Sequence, residues 1–166
     1  CFKAGGAAVS NTDGTITSQV SANNDLGFSI VKYTGNSTSG ATIGHGLSTK
    51  PELILIKGLD ISVHWIAYDT NINNVGYLSL DSSFDTSRLS WGFNDTVPTS
   101  SLITLGNSNA VNTGNMIAYC FASKRGVSKV GSYTGKTGSV NVYTGFEPAS
   151  LLIKKTNTST NGDWSV

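Results

Sequence analysis

Charge is what this sequence has least of. Asp, Glu, Lys and Arg make up 13% of 166 residues and nearly cancel, leaving a net charge of +1. So neutral a chain offers no electrostatic footprint for a nucleic acid and no polybasic patch for a membrane surface, and neither is expected as a partner. Long apolar runs are missing as well. None approaches the roughly 20 residues a membrane-spanning helix needs, and the opening residues lack the basic and apolar regions of a signal peptide. A nucleophile elbow, a phosphate-cradling glycine loop and a Cys/His zinc cluster are all absent. Ten carboxylates are scattered, with only Asp81 and Asp85 close in sequence, and nothing singles out the facing pair a glycosidase requires. Asp69-Thr70-Asn71 and Asp81-Ser82-Ser83 carry oxygen ligands without the EF-hand spacing and read as solvated turns. The expectation is a protein that is not an enzyme and has no metal or cofactor.

Cysteine, proline and histidine are also sparse. In Met116-Ile117-Ala118-Tyr119-Cys120-Phe121-Ala122 the alternation puts Cys120 on the face of Met116, Ala118 and Ala122. It reads as a small buried hydrophobe rather than a disulfide partner of Cys1. His45 stands between two glycines and reads as part of a tight turn, and His64 beside Trp65 has no cysteine partners for a metal site.

What the sequence does have is Ser, Thr, Asn and Gly, a little under half of all residues. Between these lie short, ordered runs of β-branched and aromatic residues. Phe28 to Tyr33, Ala41 to Ile43, Leu53 to Lys57, His64 to Tyr68, Tyr77 to Leu80, Leu89 to Phe93, Leu102 to Leu105 and Asn115 to Ala122 each read as a strand. Leu53-Ile54-Leu55-Ile56-Lys57, bounded by Pro51 and Gly58, reads as a central strand covered on both faces. Lys3 to Asn24 reads as a linker with one weak strand near Thr15 to Val20. Thr34-Gly35-Asn36 and Asn107-Ser108-Asn109 read as turns. No segment holds a 3.6-residue period, so the expected fold class is all-β, a β-sandwich of the jelly-roll or lectin-like kind.

The chain also repeats itself. Ile30-Val31-Lys32-Tyr33-Thr34-Gly35-Asn36 returns as Val130-Gly131-Ser132-Tyr133-Thr134-Gly135-Lys136, and Leu55-Ile56-Lys57 after Pro51 returns as Leu152-Ile153-Lys154 after Pro148. Trp65 is answered by Trp164, and Cys1-Phe2 matches Cys120-Phe121. A period near a hundred residues is a whole small domain used in tandem, not a solenoid repeat. The expected organisation is a fragment of a tandem array: residues 1–25 the end of a preceding repeat and a linker, 26–125 one complete repeat, and 126–166 the start of the next.

Of the aromatics, Trp65 is expected to pack on the sheet beneath it. Trp91 lies among polar residues with Asn94 and Asp95 close behind, the combination that holds a pyranose by its apolar face and its hydroxyl edge; core packing is the competing reading. Asn36-Ser37-Thr38, Asn94-Asp95-Thr96 and Asn157-Thr158-Ser159 match glycosylation acceptors, as a Ser/Thr/Asn-rich chain does by chance.

Taken together, Phe28-Ser29-Ile30-Val31, Tyr33-Thr34-Gly35-Asn36, Gly44-His45-Gly46-Leu47, Pro51-Glu52-Leu53-Ile54, Trp65, Phe93 to Ser101, Leu105-Gly106 and Ile117 to Phe121 resemble a repeat domain of tailed-bacteriophage virion proteins of the marine and cyanophage type, among them tail fibres. The resemblance implies a virion location, other repeats and other virion proteins as partners, and no assigned catalytic residues. A structural module of a fibre or tail appendage is therefore the expected function. A lectin-like module binding host-surface glycan and a capsid decoration protein are the alternatives, and a homotrimer paired through edge strands near Tyr77 is the oligomer expected of a fibre.

Overall fold

The computed structural model describes residues 2–72, 78–80, 89–156 and 164–165. The chain is all-β. Seven strands form one antiparallel sheet in the order β1 (Val9–Asn11), β2 (Ser18–Asn23), β3 (Phe28–Asn36), β9 (Thr113–Phe121), β5 (Leu53–Gly58), β6 (Ile66–Asp69) and β7 (Leu78–Ser79). β9, the last of these in sequence, lies in the middle. It pairs with β3 along nine positions, Phe28↔Phe121 to Asn36↔Thr113, and with β5 from Leu53↔Phe121 to Gly58↔Met116.

Period-two alternation selects the core face of this sheet. Val20, Val31, Tyr33, Ile54, Ile56, Ile66, Tyr68, Met116, Ala118 and Cys120 all point to it and are buried in one cluster. A smaller second layer covers them. β4 (Thr42–Gly44) and β8 (Leu102–Thr104) pair as a two-stranded ribbon, and Ile43, Leu47, Phe93, Ile103, Leu105 and Val111 reach the same cluster from this layer and its loops. Fully burying a side chain of this size is worth about 1.5–3 kcal/mol, so the layers hold each other by some twenty apolar contributors opposed by chain entropy.

The opposite face is only half covered. Phe2, Phe28 and Phe121 cluster there with centroids 4.9–5.4 Å apart. Trp65 stacks on Tyr119 at 6.2 Å, so this tryptophan does pack on the sheet beneath it. β5 is thus sealed on one side by Ile54 and Ile56 and half-buried on the other at Leu53, Leu55 and Lys57.

Four local expectations change. The stretch read as a linker with one weak strand near Thr15 to Val20 supplies two, β1 and β2, and β2 pairs along six positions with β3. Thr34-Gly35-Asn36 is not a turn but the end of β3, because Gly35 lets the strand run hard against the chain opposite: a Cβ there would sit 2.2 Å from the Asn112 carbonyl carbon. Leu89–Phe93 forms a short helix, α1, rather than a strand. A second short helix, α2 (Asn109–Asn112), is capped by Ser108, whose hydroxyl accepts the Ala110 N–H, where only a turn was expected.

Beyond the body, residues 129–152 carry no helix or strand. β10 (Ile153–Lys154) then pairs with β11 (Trp164–Ser165) as a separate ribbon, Ile153↔Ser165 and Lys154↔Trp164. In the body, Ile56 pairs with Ile66. The sequence echo sets Ile153 on Ile56 and Ser165 on Ile66, so the ribbon reproduces the β5–β6 register.

Candidate functional site

One end of the sandwich is built from loops that a single buried amide holds together. Asn112 is fully buried at the end of α2. Its Nδ2 donates to Thr38 O at 2.9 Å and to Gly106 O at 2.8 Å, and its Oδ1 accepts the Asn36 N–H at 3.0 Å. Its backbone carbonyl takes the Ser37 N–H at 2.7 Å. Both amide donors and the amide oxygen are therefore used, and each group left unpaired by its removal would cost about 1–3 kcal/mol. The β3–β4 loop and the loop after β8 are fixed to one point.

The loop after β8 in turn fixes α1. Gly106 N–H donates to Gly92 O at 2.9 Å and Ser108 N–H to Trp91 O at 3.1 Å. Any side chain at Gly106 would collide with the Trp91 carbonyl, 2.1 Å from a Cβ. Phe93 plugs the core edge-on to Tyr68, with centroids 5.4 Å apart. With Phe93 directed inward, Trp91 faces out and is 49% exposed. Core packing, the competing reading of this residue, does not hold.

Asn94 and Asp95 follow with φ of 51° and 50°, a left-handed pair that Asn and Asp tolerate better than other non-glycine residues. Asn94 Oδ1 accepts from Ser39 Oγ at 2.7 Å, which ties this turn to the β3–β4 loop. Asp95 is exposed. The structure thus brings Trp91, Asn94 and Asp95 into one turn beside the hydroxyl-rich loop Ser37 to Ser39. The amide oxygen of Asn94 is already committed to that loop.

The remaining sequence candidates resolve separately. His45 is buried, its Nδ1 accepting the Leu47 N–H at 3.2 Å and its Nε2 lying 3.3 Å from Thr99 O. That pairing fits a neutral ring with the proton on Nε2. Burial pushes its pKa down, with the Thr99 carbonyl and Asp13 acting weakly the other way. Cys120 is a free, buried thiol whose pKa burial raises to about 12, partly offset by Ser29 opposite it on β3. An inert apolar role follows. Asp69 Oδ1 accepts from both Asn71 N at 2.7 Å and Asn71 Nδ2 at 2.8 Å, a self-satisfied turn. Among the described residues no three His, Cys, Asp or Glu side chains gather as metal ligands, and no helix is long and apolar enough to cross a membrane. Cys1, Tyr77, the pair Asp81 and Asp85, and the acceptor Asn157 lie outside the described residues.

Sequence reading missed a cleft at the other end of the body. It has a volume of about 370 Å³ and is lined by Glu52, Lys124, Arg125, Lys129 and Thr144 among others. Within its lining, Glu52 Oε2 accepts the Ser123 N–H at 2.7 Å.

The profile of one protein family matches residues 1–166. The chain belongs to the family described as a domain of unknown function, DUF7483. No curated protein and no solved structure matches the chain. The DUF7483 match spans the body and the tail alike, so the exposed segment after Ser123 is as much part of the family pattern as the sandwich.

Proposed function

We propose that this chain is a non-enzymatic structural module of a tailed-phage fibre or tail appendage, built from tandem β-sandwich units. The observation that carries the tandem part is the recurrence of one strand pairing, β5–β6 in the body and β10–β11 in the tail, in the same register. A chance ribbon has no reason to reproduce it, because register follows the side-chain pattern and a one-residue slip reverses every face. The sequence resemblance to virion repeat domains supports the location. A surface poor in charge and rich in hydroxyls suits an appendage that must not adhere indiscriminately. Other units, other virion proteins and a homotrimeric assembly through edge strands β1 and β7 belong to the same reading. Antibodies raised against the chain and applied to intact particles are expected to decorate an appendage under the electron microscope. Finding the chain only as a free 17.3 kDa protein in infected cells would overturn the proposal.

A second reading has its own observation. The exposed Trp91, held outward by α1 beside Asn94, Asp95 and Ser39, has the make-up of a small glycan site. On a glycan array the chain then binds a defined class of sugar, and Trp91→Ala removes that binding while leaving the circular dichroism spectrum unchanged. Equal binding by the variant would discard the site.

A further inference from the structure

Over the whole chain the charges nearly cancel, but they are not evenly spread. Lys124, Arg125 and Lys129 place three of the eleven cations within six positions, directly after β9. All three line the cleft at that end of the body, where Glu52 is the one carboxylate set against them. None of the three side chains makes an ion pair or a hydrogen bond with a described residue. We propose that this cleft binds an acidic saccharide by its carboxylate or sulfate group. The proposal is independent of the glycan reading of Trp91, since that turn packs beside α2, ahead of β9, and the cleft lies where β9 ends.

The cations sit on a built turn. Lys124 N–H donates to Ser128 O and Ser128 N–H to Lys124 O, each at 3.0 Å. Val127 N–H also donates to Lys124 O at 3.0 Å, and Gly126 takes the left-handed φ of 76° that the turn requires. Both arms are fastened. Glu52 Oε2 accepts the Ser123 N–H, Ser128 Oγ donates to Ala122 O at 3.3 Å and Val130 N–H donates to Ser123 Oγ at 3.0 Å. The stem of Lys124 lies over Gly27, where a Cβ would stand 2.8 Å from Lys124 Cγ. Three like charges on one fixed turn repel one another, and an anion among them relieves that repulsion without first having to order the chain.

The lining also selects the class of anion. It contains no aromatic side chain, so it lacks the stacking platforms that hold single-stranded nucleic acid. Hydroxyls and a carboxylate stand there instead. Ser123 Oγ accepts from Val130 and keeps its own proton to donate, while Ser128 Oγ donates to Ala122 and keeps lone pairs to accept. Glu52 has a second oxygen beyond the one that takes the Ser123 N–H. These groups suit the hydroxyls of a sugar, and Arg125 with the two lysines meets its charge. At about 370 Å³ the cleft is at the small end of ligand sites, which limits the recognised part to about one charged sugar unit.

The test is an NMR titration of the full 166-residue chain with a galacturonate tetramer and with a sulfated heparin tetramer. The galacturonate tetramer with its carboxylates methyl-esterified serves as the neutral control. At least one acidic tetramer is expected to shift the amide signals of Ser123 to Lys129 saturably, and the ester to leave them in place. Arg125→Gln and Lys129→Gln, at exposed positions, each weaken that binding about fivefold, the scale of one exposed charge pair. Lys32→Gln, an exposed cation on β3, and Trp91→Ala leave it unchanged, which separates this result from that of the Trp91 turn. The proposal is overturned if neither acidic tetramer gives a saturable shift, if the ester binds as well, or if Lys32→Gln weakens binding as much as Arg125→Gln does. Tighter binding of oligodeoxythymidine or of inorganic phosphate than of either tetramer would reject the saccharide.

Discussion

At the scale of residues, two buried polar groups do most to shape this molecule, and they differ in how far the sequence disclosed them. His45 was visible as a histidine between glycines, and its turn-like setting was legible. Its burial was not, because that depends on Thr99 and Ser101 arriving from a distant loop. Asn112 gave no local sign at all, since its partners Asn36, Thr38 and Gly106 are brought to it only by the completed fold.

His45 carries a pH consequence. Its folded-state pKa lies below the ordinary value of 6.5, so the unfolded chain takes up a proton before the folded one does. The contribution is fully present above that ordinary value and is lost progressively as pH falls below it toward the folded-state pKa. Urea unfolding from about pH 7.5 to about pH 5 is expected to show stability dropping across that window. His45→Asn, whose oxygen can accept the Leu47 N–H without titrating, flattens the curve over the same range. Parallel curves for the two proteins would show that His45 has no part in it.

At the scale of elements, strands with dense β-branched and aromatic alternation were legible: β3, β5, β6, β8 and β9 lie close to where the pattern set them. The failures share one cause, a close approach between segments far apart in sequence. Leu89 to Phe93 alternates like a strand, yet Gly106 and Ser108 clasp its carbonyls and the chain coils into α1. The weakly apolar run Thr15 to Val20 announces only the first half of β2; Ser21 to Asn23 are too polar to extend it, but β3 offers them a complete edge. The glycine of Thr34-Gly35-Asn36 reads as a turn locally and proves to be a clearance. Gly35→Ala therefore forces the end of β3 away from the α2–β9 junction and is expected to lower stability by about 2–4 kcal/mol in chemical denaturation, in the range of other strained core substitutions. Gly135→Ala, with open space around it, is expected to stay within about 0.5 kcal/mol of the parent. Equal losses at the two positions would refute the steric account.

At the scale of the whole molecule, the two-layer all-β architecture could be inferred from the sequence because turn signals and short apolar runs alternate throughout. The candidate glycan turn was half legible: Trp91, Asn94 and Asp95 are adjacent in sequence, but the outward turn of Trp91 depends on Phe93 filling the core and Gly106 holding the helix. The basic cleft near Lys124 joins Glu52, just ahead of β5, with the segment after β9 and Thr144, and so had no signal in one dimension.

The central place of β9 bears on how the protein is made. A ribosome delivers β3 and β5 long before the strand that joins them, so both must wait, with apolar side chains uncovered, until Phe121 has left the exit tunnel. Contacts this distant along the chain close late and slowly. A polypeptide carrying many such units would pass through one exposed interval per unit during translation, and those intervals are where a chaperone would be needed.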